Sequence, residues 1–259
     1  MPIPDAAFRY CPELKGRIQD PATSTFRDMA ERYAQFDLYH EQLGSPPDWR
    51  LTHPEREATR FETLAGRMDR DLWVFGYGSL IWDPGVFFDE LRHAKADGFR
   101  RRFCLHLEGG RGSPDRPGLM AALDRAPGHV CDGVVMRIPA ALVDEESRLM
   151  WMREMIAGSY IPEFLELETP QGPVEALAFL ARHDHDRFVD LPDREAAGRI
   201  AFAEGHLGTN LEYLSQLVKH LEALGLHDPE MTALLGMCLE LREAEEPREG
   251  SARDLPGAP

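Results

Sequence analysis

The chain has 259 residues, 43% hydrophobic and 29% charged, which suits a soluble globular protein of one sizeable domain plus an extension. Its formal net charge of -16 argues against a nucleic acid or an anionic membrane as partner, and an anionic substrate would need a local pocket of donors. No run approaches the ~18 apolar residues of a membrane span. The opening MPIPDAAFRYCPELKGR has no apolar core of a signal peptide, so the expected compartment is the cytoplasm.

Residues 1–70 read as an N-terminal helical extension. Prolines punctuate residues 1–23. Ser24 is placed to cap a helix over 24–43, with Phe26, Met29, Tyr33 and Phe36 at helical spacing. Pro54 suits the first turn of a second helix, to about residue 68. Both helices are expected to pack outside the main domain and are given no chemistry. Removing residues 1–65 is expected to leave a folded domain.

The main domain, residues 71–244, opens on LWVFGYGSLIW at 72–82, an apolar strand entering a tight glycine turn. Phe99, Phe103, Leu105 and Leu107 share one side of an alternating stretch, with the arginines and His106 assigned to the other. A glycine-rich loop at 108–118 leads to a short strand at 119–123. A separate strand carries Val130, Val134, Met136 and Ile138. Strand after strand with short connections suggests an α+β domain built on an antiparallel sheet or small barrel. A helix over 140–156 follows, ended by Gly158. A hairpin then joins strands at 160–169 and 174–181. Three helices complete the domain, at 194–204, 210–224 with Thr209 as N-cap, and 229–242. The charged, proline-containing tail at 245–259 is expected to be disordered.

Two stretches carry candidate chemistry. In the Gly76-Tyr77-Gly78-Ser79 turn, successive amides can form a nest for a carboxylate or oxyanion. The spacing is not G-x-G-x-x-G, so no dinucleotide site is read there, and Ser79 lacks the G-x-S-x-G setting of a nucleophile. Glu154 lies in MWMREMIAGSY, an acid near a helix C-terminus among apolar side chains. Burial and the helix dipole both raise the pKa of such a carboxyl, fitting it to act as base and then acid. The bland alternative is a surface glutamate paired with Arg153. His183 and His185 in HDHD supply too few ligands for a metal site. Cys11, Cys104, Cys131 and Cys238 are scattered without a C-x-x-C pair, and Cys104 and Cys238 read as small buried hydrophobes.

Together these blocks resemble the ChaC-type gamma-glutamylcyclotransferases. The resemblance rests on VFGYGSLIW at 74–82, GFRRRFCLHLEGGRGSPDRPGLMAAL at 98–123, MWMREMIAGSYIP at 150–162 and EGHLGTNLEYL at 204–214. It implies a small closed β-barrel flanked by helices. It implies that Tyr77, Gly78, Ser79 and Leu80 form the substrate loop, that Glu154 is the general acid/base, and that Tyr160 lines the pocket. Asn210 and Tyr213 also fall on family positions and are taken as structural. The implied reaction is cyclisation of the gamma-glutamyl group of glutathione to 5-oxoproline, releasing cysteinyl-glycine, with no metal or organic cofactor. Other gamma-glutamyl donors, or a non-enzymatic binding role, are the alternatives.

Overall fold

The computed structural model describes residues 2–226 and 228–245, so the expected disordered tail lies outside the described residues except for Glu245. Helices α1 (Met29–Gln42) and α2 (His53–Thr63) precede strands β1 (Leu72–Gly76), β2 (Glu90–Leu107) and β3 (Gly118–Ile138). Helix α3 (Val143–Glu154) then leads into the hairpin of β4 (Tyr160–Leu167) and β5 (Val174–Ala181). Helix α4 (Asp193–Phe202), the two-residue strands β6 (Glu204–Gly205) and β7 (Gly208–Thr209), and helices α5 (Asn210–Ala223) and α6 (Pro229–Glu245) complete the chain. The helix starts follow sequence chemistry: Thr52 with Glu55, and Thr209 with Glu212, each close a capping box. Among the described residues no helix is long and apolar enough to cross a membrane.

The main sheet runs β2-β3-β1-β5-β4. β1 is antiparallel to β3 and touches β5 in parallel, while β4 and β5 pair as the expected hairpin. The sheet is open, which corrects the closed barrel implied by the resemblance. β2 and β3 form a ribbon of 18 and 21 residues, far longer than the 5 and 8 residues of β1 and β4. A ribbon that long overshoots its neighbours and leaves edge groups unmatched. Among the described residues the single bridge between the sheet's edges pairs Lys95 with Glu168.

The sheet is strongly curled and buries both faces. Val74, Met136, Leu177 and Phe179 share one core with the helices, while Phe75, Leu123, Val135 and Leu180 form a second core. This explains the continuous apolar run of β1. The two strands expected at 119–123 and 130–138 are one strand, β3. Pro127 and Gly128 suggested a break, but residues 126–129 bulge out of register opposite Gly98 and pairing resumes at Val130.

The extension is part of the packing. Ala7, Phe8, Cys11, Leu14 and Ile18 are buried in the helix-side core. Farther on, the extension follows α3 along its length. Arg27 meets Glu146, and Arg60, fully buried, meets Asp144 and Ser147. The Tyr33 hydroxyl donates to Met152 O, and Leu51 N donates to Ile156 O at 2.8 Å.

Candidate active site

β1 delivers its last residue, Gly76, into the turn. A Cβ on Gly76 would lie 3.3 Å from Leu80 Cβ and 3.4 Å from Met136 and Val134, so a side chain there would press on Leu80 and touch β3. At Gly133 of β3 a Cβ would lie 2.5 Å from Gly76 O, a place where backbone meets backbone. Beyond Gly78 the chain makes one 3₁₀ turn, Ser79–Ile81, closed by Ile81 N to Gly78 O at 2.9 Å. Among the described residues the Gly78, Ser79 and Leu80 N–H groups have no acceptor, as expected at the start of a helical turn. Leu80 is buried, so of the four loop residues it contributes backbone rather than side chain to any ligand.

The turn is held from behind by Arg101. This arginine is buried; its Nε donates to Tyr77 O, its Nη2 donates to Asp132 O at 2.6 Å, and it pairs with Asp228. Arg101 corrects the assignment of all the arginines to the polar side. It shares the parity of Phe99 and Phe103, and an arginine in the apolar register of a strand was the available signal.

Glu154 is the last residue of α3. Its carboxylate forms an ion pair with Arg153, Nε to Oε1 2.8 Å, with Glu154 only 13% exposed and Arg153 5%. Burial pushes the Glu154 carboxyl above its ordinary range, and the Arg153 charge and hydrogen bond pull it partly back. Arg153 also donates to Ser79 Oγ at 2.6 Å and to Asp83 O, so one guanidinium ties the carboxyl to the glycine turn. The pairing of Glu154 with Arg153 therefore exists, but it is buried and points into the turn.

Three tyrosines surround this acid. The Tyr77 hydroxyl donates to Phe179 O at 2.6 Å and the Tyr160 hydroxyl to Ala121 O at 3.1 Å. Burial and then the neighbouring Glu154 raise Tyr77 well above its ordinary range and push Tyr213 up to about 12. Tyr160 rises through burial and its neighbours Tyr77 and Glu154. All three phenols stay protonated donors at neutral pH. Tyr213, read from sequence as structural, faces the turn: its hydroxyl lies 3.8 Å from where a Gly78 Cβ would be. Asn210 is structural, bonding both Leu119 N and Leu119 O at 2.8 Å.

The histidines weighed as metal ligands are otherwise engaged. His183 Nε2 meets Asp124 at 2.6 Å, and His185 Nε2 meets Ala157 O at 2.9 Å. Cys11, Glu13 and His93 place ligand atoms within 4.8 Å of one another. There the Cys11 thiol is pushed up to about 12, first by burial and then by Glu13, while His93 already pairs with Glu13 at 2.8 Å. The four cysteines are free and buried.

A sequence profile described as ChaC-like protein matches residues 72–241. The glutathione-specific gamma-glutamylcyclotransferase of Escherichia coli (strain K12) is 39% identical over 184 residues, covering 70% of this chain and 79% of that protein. The human glutathione-specific gamma-glutamylcyclotransferase 1 is 30% identical, covering 60% and 71%. The crystal structure of the yeast gamma-glutamyl cyclotransferase specific to glutathione superimposes with a TM-score of 0.61 at 25% identity, covering 68% of this chain and 99% of that one.

Proposed function

This chain belongs to the ChaC-like protein family, and we propose that it is a glutathione-specific gamma-glutamylcyclotransferase. The observation that carries the reading is Glu154: a nearly buried carboxyl with one charged donor, tied through Arg153 to the Ser79 turn.

The substrate supplies its own nucleophile. Its α-amine attacks its γ-carbonyl carbon, a five-membered lactam closes, and the bond to the cysteinyl nitrogen breaks. Holding the chain folded back supplies much of the rate. Glu154, as carboxylate, takes a proton from the substrate ammonium, and its raised pKa makes it a competent base near neutral pH. The resulting carboxylic acid gives that proton to the departing cysteinyl amine, leaving 5-oxoproline and cysteinyl-glycine. The N–H groups of Gly78, Ser79 and Leu80 bind the glutamyl carboxylate or the developing oxyanion. Tyr77 and Tyr160 wall the pocket, with Tyr213 as a third phenol. The Ser79 hydroxyl is held by Arg153 and acts as no nucleophile. The free thiols support a cytoplasmic setting.

The test is release of 5-oxoproline from glutathione, gamma-glutamyl amino acids and gamma-glutamyl amines. Turnover of glutathione alone, unchanged after dialysis against EDTA, is expected. No 5-oxoproline from any donor overturns the reading and favours a binding role.

A further inference from the structure

The extension brings an arginine to the rim of this site. Arg32, in the first turn of α1, lies 5.1 Å from the centroid of the Phe26 ring and 5.6 Å from that of Phe36. The Arg153 guanidinium lies over the same Phe26 ring at 3.8 Å. One aromatic ring is thus shared by a guanidinium of the extension and the guanidinium that holds Ser79 and Glu154.

The nearby cations differ in what they have left to give. Arg153 is committed to Glu154, Ser79 and Asp83 O. Arg111, in the glycine-rich loop, is committed to Thr209 O at 3.0 Å and Glu212 at 3.5 Å. Arg32 donates to Thr25 Oγ1 at 2.6 Å, and among the described residues no carboxylate lies within ion-pair reach of it. A guanidinium has five N–H donors in a planar fork that matches a carboxylate.

The surrounding charges are Arg153, which repels Arg32, Asp83, which attracts it, and His206, whose pKa is lowered first by burial and then by Arg32. Burial first and then Arg153 lower the pKa of Arg32, so the protein around it leaves its charge under-compensated. An arriving anion relieves that.

We propose that Arg32 is a specificity residue that binds the carboxylate at the far end of the leaving peptide. This rests on the cyclotransferase reading. The glutamyl carboxylate goes to the glycine turn, and the second carboxylate of the donor meets Arg32. A two-residue leaving group reaches roughly 7 Å past the bond that breaks, so its terminal carboxylate lies well away from the glycine turn. A gamma-glutamyl amino acid carries its second carboxylate one residue too early, and a gamma-glutamyl amine carries none. The extension would therefore select the donor.

The test compares glutathione with its glycyl monoethyl ester, which masks only that carboxylate. In the full-length protein, Arg32→Met keeps the apolar stem against Phe26 and Phe36 and removes the charge. For glutathione, KM is expected to rise roughly 10-fold or more with kcat within about threefold, as for loss of a charge-assisted hydrogen bond. KM for the ester is expected to stay level, and Arg32→Lys to recover part of the loss. Equal changes for both donors, or no change for either, overturn the assignment of Arg32 and leave the cyclotransferase reading standing. Wild-type protein that releases no 5-oxoproline from glutathione overturns both.

Discussion

Helix α3 carries two low-exposure glutamates, Glu146 near its start and Glu154 at its end, and they are built to opposite purposes. Glu146 accepts from Arg27 at 2.9 and 3.2 Å and from Phe87 N at 3.0 Å. Its lone pairs are filled by two other segments of the chain, which makes it a rivet between them. Glu154 has a single charged donor, the neighbouring Arg153, and keeps an opening to solvent. It also ends the helix, where the dipole disfavours an anion. A buried acid with its acceptors filled holds structure; one left short of donors is free to take up a proton and give it back.

The sharpest test of that contrast is Glu154→Gln. It keeps the shape and removes the proton carrier, so kcat is expected to fall by roughly 10²–10⁴-fold. Glutathione affinity, measured by calorimetry, is expected to survive. Near-wild-type release of 5-oxoproline would remove Glu154 from the mechanism.

Arg153→Met comes next. Loss of the tie to Ser79 is expected to lower kcat/KM by roughly 10- to 100-fold, the scale of a small misplacement of reacting groups. Because Arg153 holds the Glu154 pKa down, its removal raises that pKa further. The base must be ionised, so the acid limb of the kcat/KM profile is expected to move to higher pH. A limb that stays put would separate Arg153 from Glu154 electrostatically.

Glu146→Gln should behave in the opposite sense. Activity per folded molecule is expected to stay within about twofold, while stability falls by about 1–3 kcal/mol as Arg27 and Phe87 N lose a charged acceptor. Denaturant unfolding measures it, and Arg27, 27% exposed and also paired with Glu145, keeps the loss from being larger.

The smallest effect is in the pH dependence of stability. Folding raises the Glu154 pKa above its ordinary 4.5, so the folded state binds more protons than the unfolded state between 4.5 and the raised value. Stability from this group falls as pH rises through that window. Glu154→Gln should match wild type below pH 4.5 and melt slightly higher above it. A gap that opens on going to lower pH would contradict the sign.

Much of this was legible in residue order. The hairpin, the capped helices and the glycine turn follow from alternation, capping chemistry and apolar runs. The approximate place of the acid also follows, because Glu154 sits among methionines and a tryptophan. What escaped was set by partners distant in sequence. Arg101 is buried because Asp132 O and Asp228 await it, and nothing local says so. The short turns holding Phe8, Cys11 and Leu14 have no helical period to read, so their place in the core was hidden. Pro127 and Gly128 signalled a break that β3 absorbs as a bulge. Arg153 was weighed as a rival to catalysis by Glu154, whereas the geometry makes the two compatible. Tyr213 looked structural because its contact with the turn depends on how α5 docks.

The bond from Tyr33 to Met152 spans 119 residues of sequence. On a ribosome adding ~5–20 residues per second, that interval is roughly 6–24 s. Through it the segment around Tyr33 has no α3 to dock on, whereas the Cys11 thiol meets its acceptor, Leu91 O, after only 80 residues. The segment around Tyr33 therefore waits the longer of the two, and α3 is the element whose emergence releases it.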